Sequence, residues 1–153
     1  MQDTAHHIGP LESYVVLDRL ASNLPELLTH DLLSEERRVL MVSPLTHPDR
    51  YVQVLSDTDG EFYLEVVSNN YLQGDDRLTS EDEEQLLAQG FSAPVVEFET
   101  PPAHVRGLPN WWFHPDCGIA GAFDVAKLIV RALHDVFGVP LRERVRVERR
   151  LLA

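Results

Sequence analysis

The sequence has a single cysteine, Cys117, so the chain cannot form an internal disulfide. One cysteine is typical of a protein in a reducing compartment, and we expect a cytoplasmic location. No apolar run approaches the roughly 18 residues that a membrane-spanning helix needs. The first residues also lack the basic-then-apolar pattern of a secretory signal peptide. These absences predict a protein with no membrane segment and no disulfide framework.

Lysine is almost absent, since Lys127 is the only one among thirteen basic residues. Twenty-five acidic residues bring the net charge to −12. Residues 142–153 hold five Arg and two Glu, so the rest of the chain is even more acidic. A field of that sign repels nucleic acid and anionic lipid. We therefore expect no nucleic-acid or membrane partner, and we treat residues 142–153 as an Arg-rich tail.

The common catalytic motifs are also missing. There is no GxxxxGKS/T, GxGxxG, GxSxG or HExxH pattern. The remaining candidates are His114 and Cys117, either as a nucleophilic thiol with its base or as metal ligands. A zinc site needs three or four ligands, commonly with a second Cys or His pair. We expect Asp116 to cap the following helix instead, and we predict no catalytic residue, no metal and no cofactor.

The clearest feature that is present is a hairpin within residues 50–72. Apolar residues alternate with other types in YVQVLS and again in FYLEVV, as in strands with one apolar and one mixed face. Residues 56–60 supply the turn, because Asp side chains bond turn backbone and Gly60 tolerates positive φ. Upstream, residues 38–45 predict a buried strand that ends at a proline.

Helical spacing predicts a first helix over residues 11–24, ended or kinked by Pro25. Residues 30–36 are interpreted as a connection. A second helix begins at Thr79 or Ser80, both of which have capping-box spacing to an acid.

Gly90 is predicted to end the second helix. Residues 95–99 alternate like a strand. Residues 103–117, which contain the run WWF, predict a short last strand or an aromatic plug.

Residues 118–137 form the longest predicted helix, and they are apolar around most of its circumference. One stripe, which includes Phe123, is expected to face the core. A second apolar stripe must also be covered, either because the helix has a central position against the sheet or because a second chain packs on it. For the second case we predict a homodimer interface through Val125, Leu128, Ala132 and Val136. Gly138 is the expected end of the helix.

These elements predict an α+β fold, with helices covering one face of a small twisted antiparallel sheet. We expect one domain over residues 1–153, with its core in about 11–137. Residues 145–148 alternate like an edge strand, although their Arg content also allows a loose helix.

Three short segments carry a resemblance to a known family. They are EVVSNNYL at 65–72, LLAQGF at 86–91 and PNW at 109–111. Through them, residues 11–137 resemble the actinobacterial TY-Chap domains, which are similar to type III secretion chaperones and to the YbjN-like fold. Phe91 stands where the pattern has Trp, and the Arg-rich tail lies outside the pattern.

The resemblance implies a type III secretion chaperone-like fold, dimerisation in many members, and binding of peptides or proteins without catalysis. We accordingly expect a protein or peptide client, held on apolar sheet surface or against an edge strand. The alternatives are a small enzyme that uses His114 and Cys117, and an adaptor that docks through residues 142–153.

Candidate partner contacts lie on the mixed face of the hairpin and in the aromatic run: Tyr51, Gln53, Tyr63, Glu65 and Trp112. The alternative is that these residues have only structural roles. In that case Glu65 is solvated or pairs with an Arg, and the aromatic run packs in the core. Adjacent residues of an extended segment face opposite ways, so Trp111 or Phe113 enters the core while Trp112 is a partner anchor. Asn69 is expected to close a turn with its side chain.

Overall fold

The structure is a computed structural model, and it describes residues 11–33, 36–56, 62–98, 105–114 and 121–151. In chain order the strands and helices are β1 (Leu11–Val16), α1 (Leu20–Leu33), β2 (Arg38–Pro44), β3 (Val52–Ser56), β4 (Phe62–Val66), α2 (Ser80–Ala88), β5 (Val95–Phe98), β6 (Val105–Leu108), β7 (Trp111–Phe113), α3 (Ala122–Arg131) and β8 (Arg144–Leu151). Short 3-10 turns occupy Leu17–Arg19 and Gly74–Asp76, and a π-helical turn, Ala132–Val136, continues α3.

Six of these strands form one antiparallel sheet in the order β1-β8-β2-β3-β4-β7. β5 and β6 pair with each other in a separate two-stranded ribbon. Helices α1 and α3 pack together, and their buried side chains share one core with the sheet. The predicted α+β class, with helices on an antiparallel sheet, is therefore confirmed.

The predicted hairpin is confirmed as β3 and β4. Their Cα partners run from Val52↔Val66 to Ser56↔Phe62, and burial alternates along both strands. Because neighbouring side chains of a strand point to opposite faces, every second residue enters the core. Of the predicted turn, residues 56–60, Ser56 is the last residue of β3 and the others lie outside the described residues. The aromatic run forms β7, which pairs with β4, so the alternative of an unpaired plug is excluded.

The core lies between the sheet and the helices. The sheet contributes two cross-strand rows of side chains that are at most 1% exposed: Leu40, Val54 and Leu64, and Val42, Val52 and Val66. Opposite them lie side chains of the helices, among them Leu24, Leu28 and Ile129. Full burial of an aliphatic side chain of this size stabilises the fold by about 1.5–3 kcal/mol. These rows therefore fix which face of the sheet the helices cover.

Residues 11–24 do not form the single helix that their spacing predicts. Leu11–Val16 are strand β1, paired with β8, and the helix begins only at Leu20. The same stretch also fits a period of two, with Tyr14 exposed and its neighbours partly buried. Pairing with a distant strand satisfies backbone groups along β1 and overrides the local helical spacing.

Pro25 does not end the first helix. It lies buried inside α1, which runs on to Leu33, so the connection predicted over residues 30–36 is wrong in its first part. A proline inside a helix removes one backbone hydrogen bond. The helix nevertheless continues because Leu24 and Leu28, on either side of the proline, are both buried in the core.

The second helix begins and ends as predicted. The Thr79 hydroxyl accepts a hydrogen bond from the backbone N–H of Asp82 (3.1 Å), and the Asp82 carboxylate accepts one from the Thr79 N–H (2.9 Å). This is the capping box, and it selects Thr79 over Ser80 as the N-cap. Gly90 follows the helix with φ of +100°, a conformation that favours glycine.

The long helix is confirmed from Ala122 onwards, while its predicted start and the capping residue Asp116 lie outside the described residues. Its last turn is π-helical, with the Phe137 N–H donating to the carbonyl of Ala132 (3.3 Å). Gly138 then ends it with φ of +69°. None of the described helices has both the length and the apolar content to cross a membrane.

The second stripe of the long helix is covered by the chain itself. Val125 and Ala132 are 0% exposed and Val136 is 5% exposed, while Leu128 packs partly buried against the same core. Val125, Ala132 and Val136 thus pack inside a single chain, and of the four residues predicted at a dimer interface only Leu128 is partly exposed. Phe123, which we expected in the core, is 61% exposed.

The Arg-rich segment forms an internal strand, whereas the sequence predicts an edge strand or a loose helix. β8 lies between β1 and β2 and pairs with both. Val145 and Val147 enter the core, and the guanidinium of the buried Arg149 lies 3.1 Å from Nδ1 of His30. Residues 144–151 are therefore part of the sheet, and this span offers no free arm for docking.

If β8 completes the sheet, a charge on its buried face should unfold the protein. Val147→Asp buries an unpaired carboxylate and should lower the free energy of unfolding by more than about 4 kcal/mol. The matched control Val95→Asp alters a valine that is 65% exposed. It should change the free energy of unfolding by about 1 kcal/mol or less. Urea denaturation measures both, and equally small effects would place β8 outside the sheet.

Candidate functional site

The sheet has a second face, formed by the residues that alternate with the core rows, and we call it the outer face. Around the hairpin its residues are Met41, Tyr51, Gln53, Leu55, Tyr63, Glu65 and Trp112, all partly exposed. Antiparallel sheets commonly carry one core face and one mixed face in this way. All five predicted partner contacts are on the outer face, so the structure brings them together on one surface.

One cross-strand row runs through the middle of the outer face. In it, Gln53, Glu65 and Trp112 are consecutive Cα partners on β3, β4 and β7. Beyond Gln53 the row continues with Met41 of β2 and Glu148 of β8. Neighbouring strands lie about 4.8 Å apart, so adjacent members of the row are within contact distance. The row thus sets a carboxylate between an amide and an indole.

Glu65 holds one carboxylate oxygen in hydrogen bonds and leaves the other without a protein partner. Its Oε1 accepts from Gln53 Nε2 (3.3 Å) and from Asn110 Nδ2 (3.0 Å). Its Oε2 accepts no hydrogen bond and forms no ion pair within the described part of the chain. The Arg partner that the sequence suggests is therefore replaced by two neutral amides. An oriented anionic oxygen of this kind is a strong acceptor for a charged donor of a ligand.

Asn110 organises the site from a buried position, at 4% exposure, and the sequence did not single it out. While Nδ2 donates to Glu65, Oδ1 accepts from the backbone N–H of Ser68 (3.0 Å). The Ser68 hydroxyl in turn donates to the carbonyl of Pro109. This network ties the corner after β4 to the start of β7 and holds the Glu65 side chain in place. Its only sequence signal was the segment PNW of the family resemblance.

Two tyrosines border Glu65: Tyr51 on the outer face and Tyr71 in the turn after β4. Burial raises the pKa of Tyr51 above its ordinary value, a hydrogen bond with Asn110 opposes the rise, and the Glu65 carboxylate adds to it. Burial and the Glu65 carboxylate also raise the pKa of Tyr71, which is 46% exposed. Both phenols therefore stay neutral near pH 7 and present rings and hydroxyls beside an anion.

Trp112 and Tyr63 give the outer face its aromatic surface. Trp112 is partly exposed while Trp111 enters the core at 3% exposure, which is the alternation that the sequence predicts. The Nε1 atom of Trp112 is buried and has no hydrogen-bond partner among the described residues. Tyr63 stacks on His114, with ring centroids 4.4 Å apart and an interplanar angle of 17°. Because Nε1 is covered by the protein, Trp112 offers part of its ring surface, and not its N–H, to a ligand.

Asn69 shapes the corner that carries Tyr71. Its Nδ2 donates to the carbonyl of Leu78 (3.0 Å), and its Oδ1 accepts from the backbone N–H of the same residue (2.7 Å). Asn69 therefore has a structural role, although it bridges a loop of nine positions where a local turn was expected. The neighbouring Asn70 donates its side-chain N–H to the carbonyl of Pro109 (2.8 Å).

The rival sites gain no support from the part of the chain that the structure describes. Cys117 lies outside that part, and the ring of His114 is stacked on Tyr63. Within the described ranges, no group of three or more His, Cys, Asp or Glu side chains could hold a metal. A cavity of about 210 Å³ beside Arg50 and Phe137 is lined by none of the predicted contacts.

The Asn69 bridge yields a stability prediction. Asn69→Ala leaves both backbone groups of Leu78 without their partner and should lower the free energy of unfolding by about 1–3 kcal/mol. Asn70→Ala, the matched control, removes one exposed hydrogen bond and should cost about 1 kcal/mol or less. Chemical denaturation compares the two variants, and a larger loss for Asn70→Ala would contradict the assignment.

Comparison with known proteins adds one finding to this geometry. The family model TY-Chap3, described as T3SS (YopN, CesT) and YbjN peptide-binding chaperone 3, matches residues 17–150. No curated protein and no solved structure matches the chain. The family match extends into β8 and so corrects the expectation that the Arg-rich segment lies outside the shared pattern. Because the match covers well over half of the chain, this protein belongs to the TY-Chap3 family of peptide-binding chaperones.

Proposed function

We propose that this protein is a chaperone-like module that binds a peptide, or an extended segment of a client protein, on its outer face and has no catalytic activity. One observation carries the proposal: the five predicted contacts share a partly exposed surface around the free carboxylate oxygen of Glu65. A free carboxylate oxygen beside aromatic surface matches the N–H donors and the apolar groups of a peptide. Membership of a peptide-binding family supports the same class of ligand.

The contacts differ in what they offer to a bound segment. Trp112 and Tyr63 supply broad aromatic surface at little cost in side-chain entropy, as anchor residues of interfaces do. Gln53 and Glu65 supply fixed polar groups, which set the register of the segment. Stacking on His114 and hydrogen bonding to Asn110 hold two of these four side chains in position before the client arrives. Such preorganisation reduces the entropy lost on binding.

The sheet edge nearer to the site, strand β7, is already paired. This favours a bound segment that lies on the outer face over one that adds a strand to the edge. On the far side of β7, Ser92 pairs with Trp112 through two backbone hydrogen bonds of 2.8 and 3.1 Å. An added strand would have to displace this pairing. The opposite edge, β1, lies at the far end of the sheet from Trp112. The side chains of the outer face are therefore the better binding surface.

No observation favours catalysis by His114 and Cys117, so the small enzyme is not proposed here. The homodimer and the cytoplasmic location remain predictions from the sequence. Three of the four predicted interface residues, Val125, Ala132 and Val136, are buried in the chain's own core.

Selection from a random peptide library displayed on phage tests the proposed function. The full-length protein should enrich peptides over an uncoated support. Trp112→Ala should weaken binding of the enriched peptides by about tenfold or more, because it removes a central aromatic anchor. Fluorescence anisotropy with labelled peptides measures the dissociation constants.

Phe123→Ala is the control for loss of an exposed aromatic side chain elsewhere. Phe123 is 61% exposed on α3, away from the outer face. Its removal should leave affinity within about twofold, as expected for residues outside an interface. A protein that enriches no peptide, or two variants with equal effects, would contradict the proposal.

A further inference from the structure

Glu65 carries a negative charge on the outer face, and its Oε2 atom has no protein partner among the described residues. Two amides occupy Oε1, and they are neutral, so they do not cancel the charge of the carboxylate. Two basic side chains of the same face, Arg146 and Arg150, both pair with Glu148 on β8. β8 lies three strands from β4, which is roughly 14 Å at the usual strand spacing. Among the described residues, Glu65 therefore has no cationic partner.

Aromatic rings surround this carboxylate. Trp112 is its cross-strand partner, and the phenols of Tyr51 and Tyr71 are close enough for Glu65 to shift the pKa of each. Ring faces attract cations through their quadrupole, and the attraction adds to that of a nearby anion. An anion flanked by neutral rings is poorly suited to an acidic or purely apolar group. It suits a side chain with a long apolar stem and a cationic end, since the stem packs on the rings.

We propose that the Glu65 site recognises a Lys or Arg side chain of the bound segment. The inference rests on the proposed function, and it adds the chemical class of residue that the client must present. The charge of the whole chain points the same way, because a net charge of −12 attracts basic segments and speeds their encounter. The free Oε2 can accept hydrogen bonds from a charged N–H donor, which both Lys and Arg supply.

The same peptide selection, carried out in parallel on the wild type and on Glu65→Gln, tests this inference. Glutamine keeps the size of the side chain and an oxygen that can accept from Asn110, so the corner should fold. The wild type should enrich peptides that share Lys or Arg at one position, and Glu65→Gln should lose that preference. For the tightest peptide, Glu65→Gln should raise the dissociation constant about tenfold. Glu84→Gln, an exposed acid of α2, makes the same change in net charge and should stay within about twofold.

A change on the peptide supplies evidence that does not depend on the variant folding. Replacing the basic residue by norleucine or citrulline should weaken binding to the wild type about tenfold. The same replacement should cost almost nothing with Glu65→Gln, because a double-mutant cycle isolates the contact between the two groups. The inference would be overturned if the enriched peptides shared no basic position, or if Glu65→Gln and Glu84→Gln lost equal affinity. Either result would leave the proposed peptide binding intact. Failure to enrich any peptide would overturn the proposed function and this inference together.

Discussion

The alternation of side chains along β3 and β4 is the constraint on which the rest of the molecule depends. It sends Val52, Val54 and Leu64 into the core and turns Gln53 and Glu65 to the outer face. Because the helices bury Val52, Val54 and Leu64, strand alternation places Gln53 and Glu65 on the opposite face of the sheet. A slip of one residue in the β3–β4 register would bring a carboxylate into the core and lose both faces at once. Fold and binding surface are therefore specified by the same pairing.

Local patterns predicted the elements that local chemistry determines. The hairpin follows from its period of two, and the capping box of Thr79 and the end at Gly90 follow from the preferences of single residues. The failures are at places where the partner is far away in sequence. β1 has a helical spacing, yet it pairs with a strand at the other end of the chain. Pro25 lies inside a helix because buried leucines around it outweigh one lost hydrogen bond.

The site shows the same division. Tyr51, Gln53, Tyr63, Glu65 and Trp112 were predictable because strand alternation places them on one face. Asn110 and Tyr71 were missed since both lie in irregular segments, where no period indicates the direction of a side chain. Asn110 is nevertheless the residue that connects the corner to the carboxylate. Val125 and Ala132 were predicted at a dimer interface, but both are buried in the chain's own core. Helical spacing identifies an apolar stripe, but it does not show whether the same chain or a second chain covers it.

We propose that this protein acts by presenting the outer face of its sheet to a peptide. Amide chemical-shift mapping by NMR, with a peptide from the selection added to saturation, shows which residues the peptide contacts. The largest shifts should fall in β3, β4, β7 and the turn that carries Tyr71. The exposed side of α3 around Phe123 should remain unchanged. Shifts confined to α2 and α3, with the outer face unaffected, would contradict the proposal.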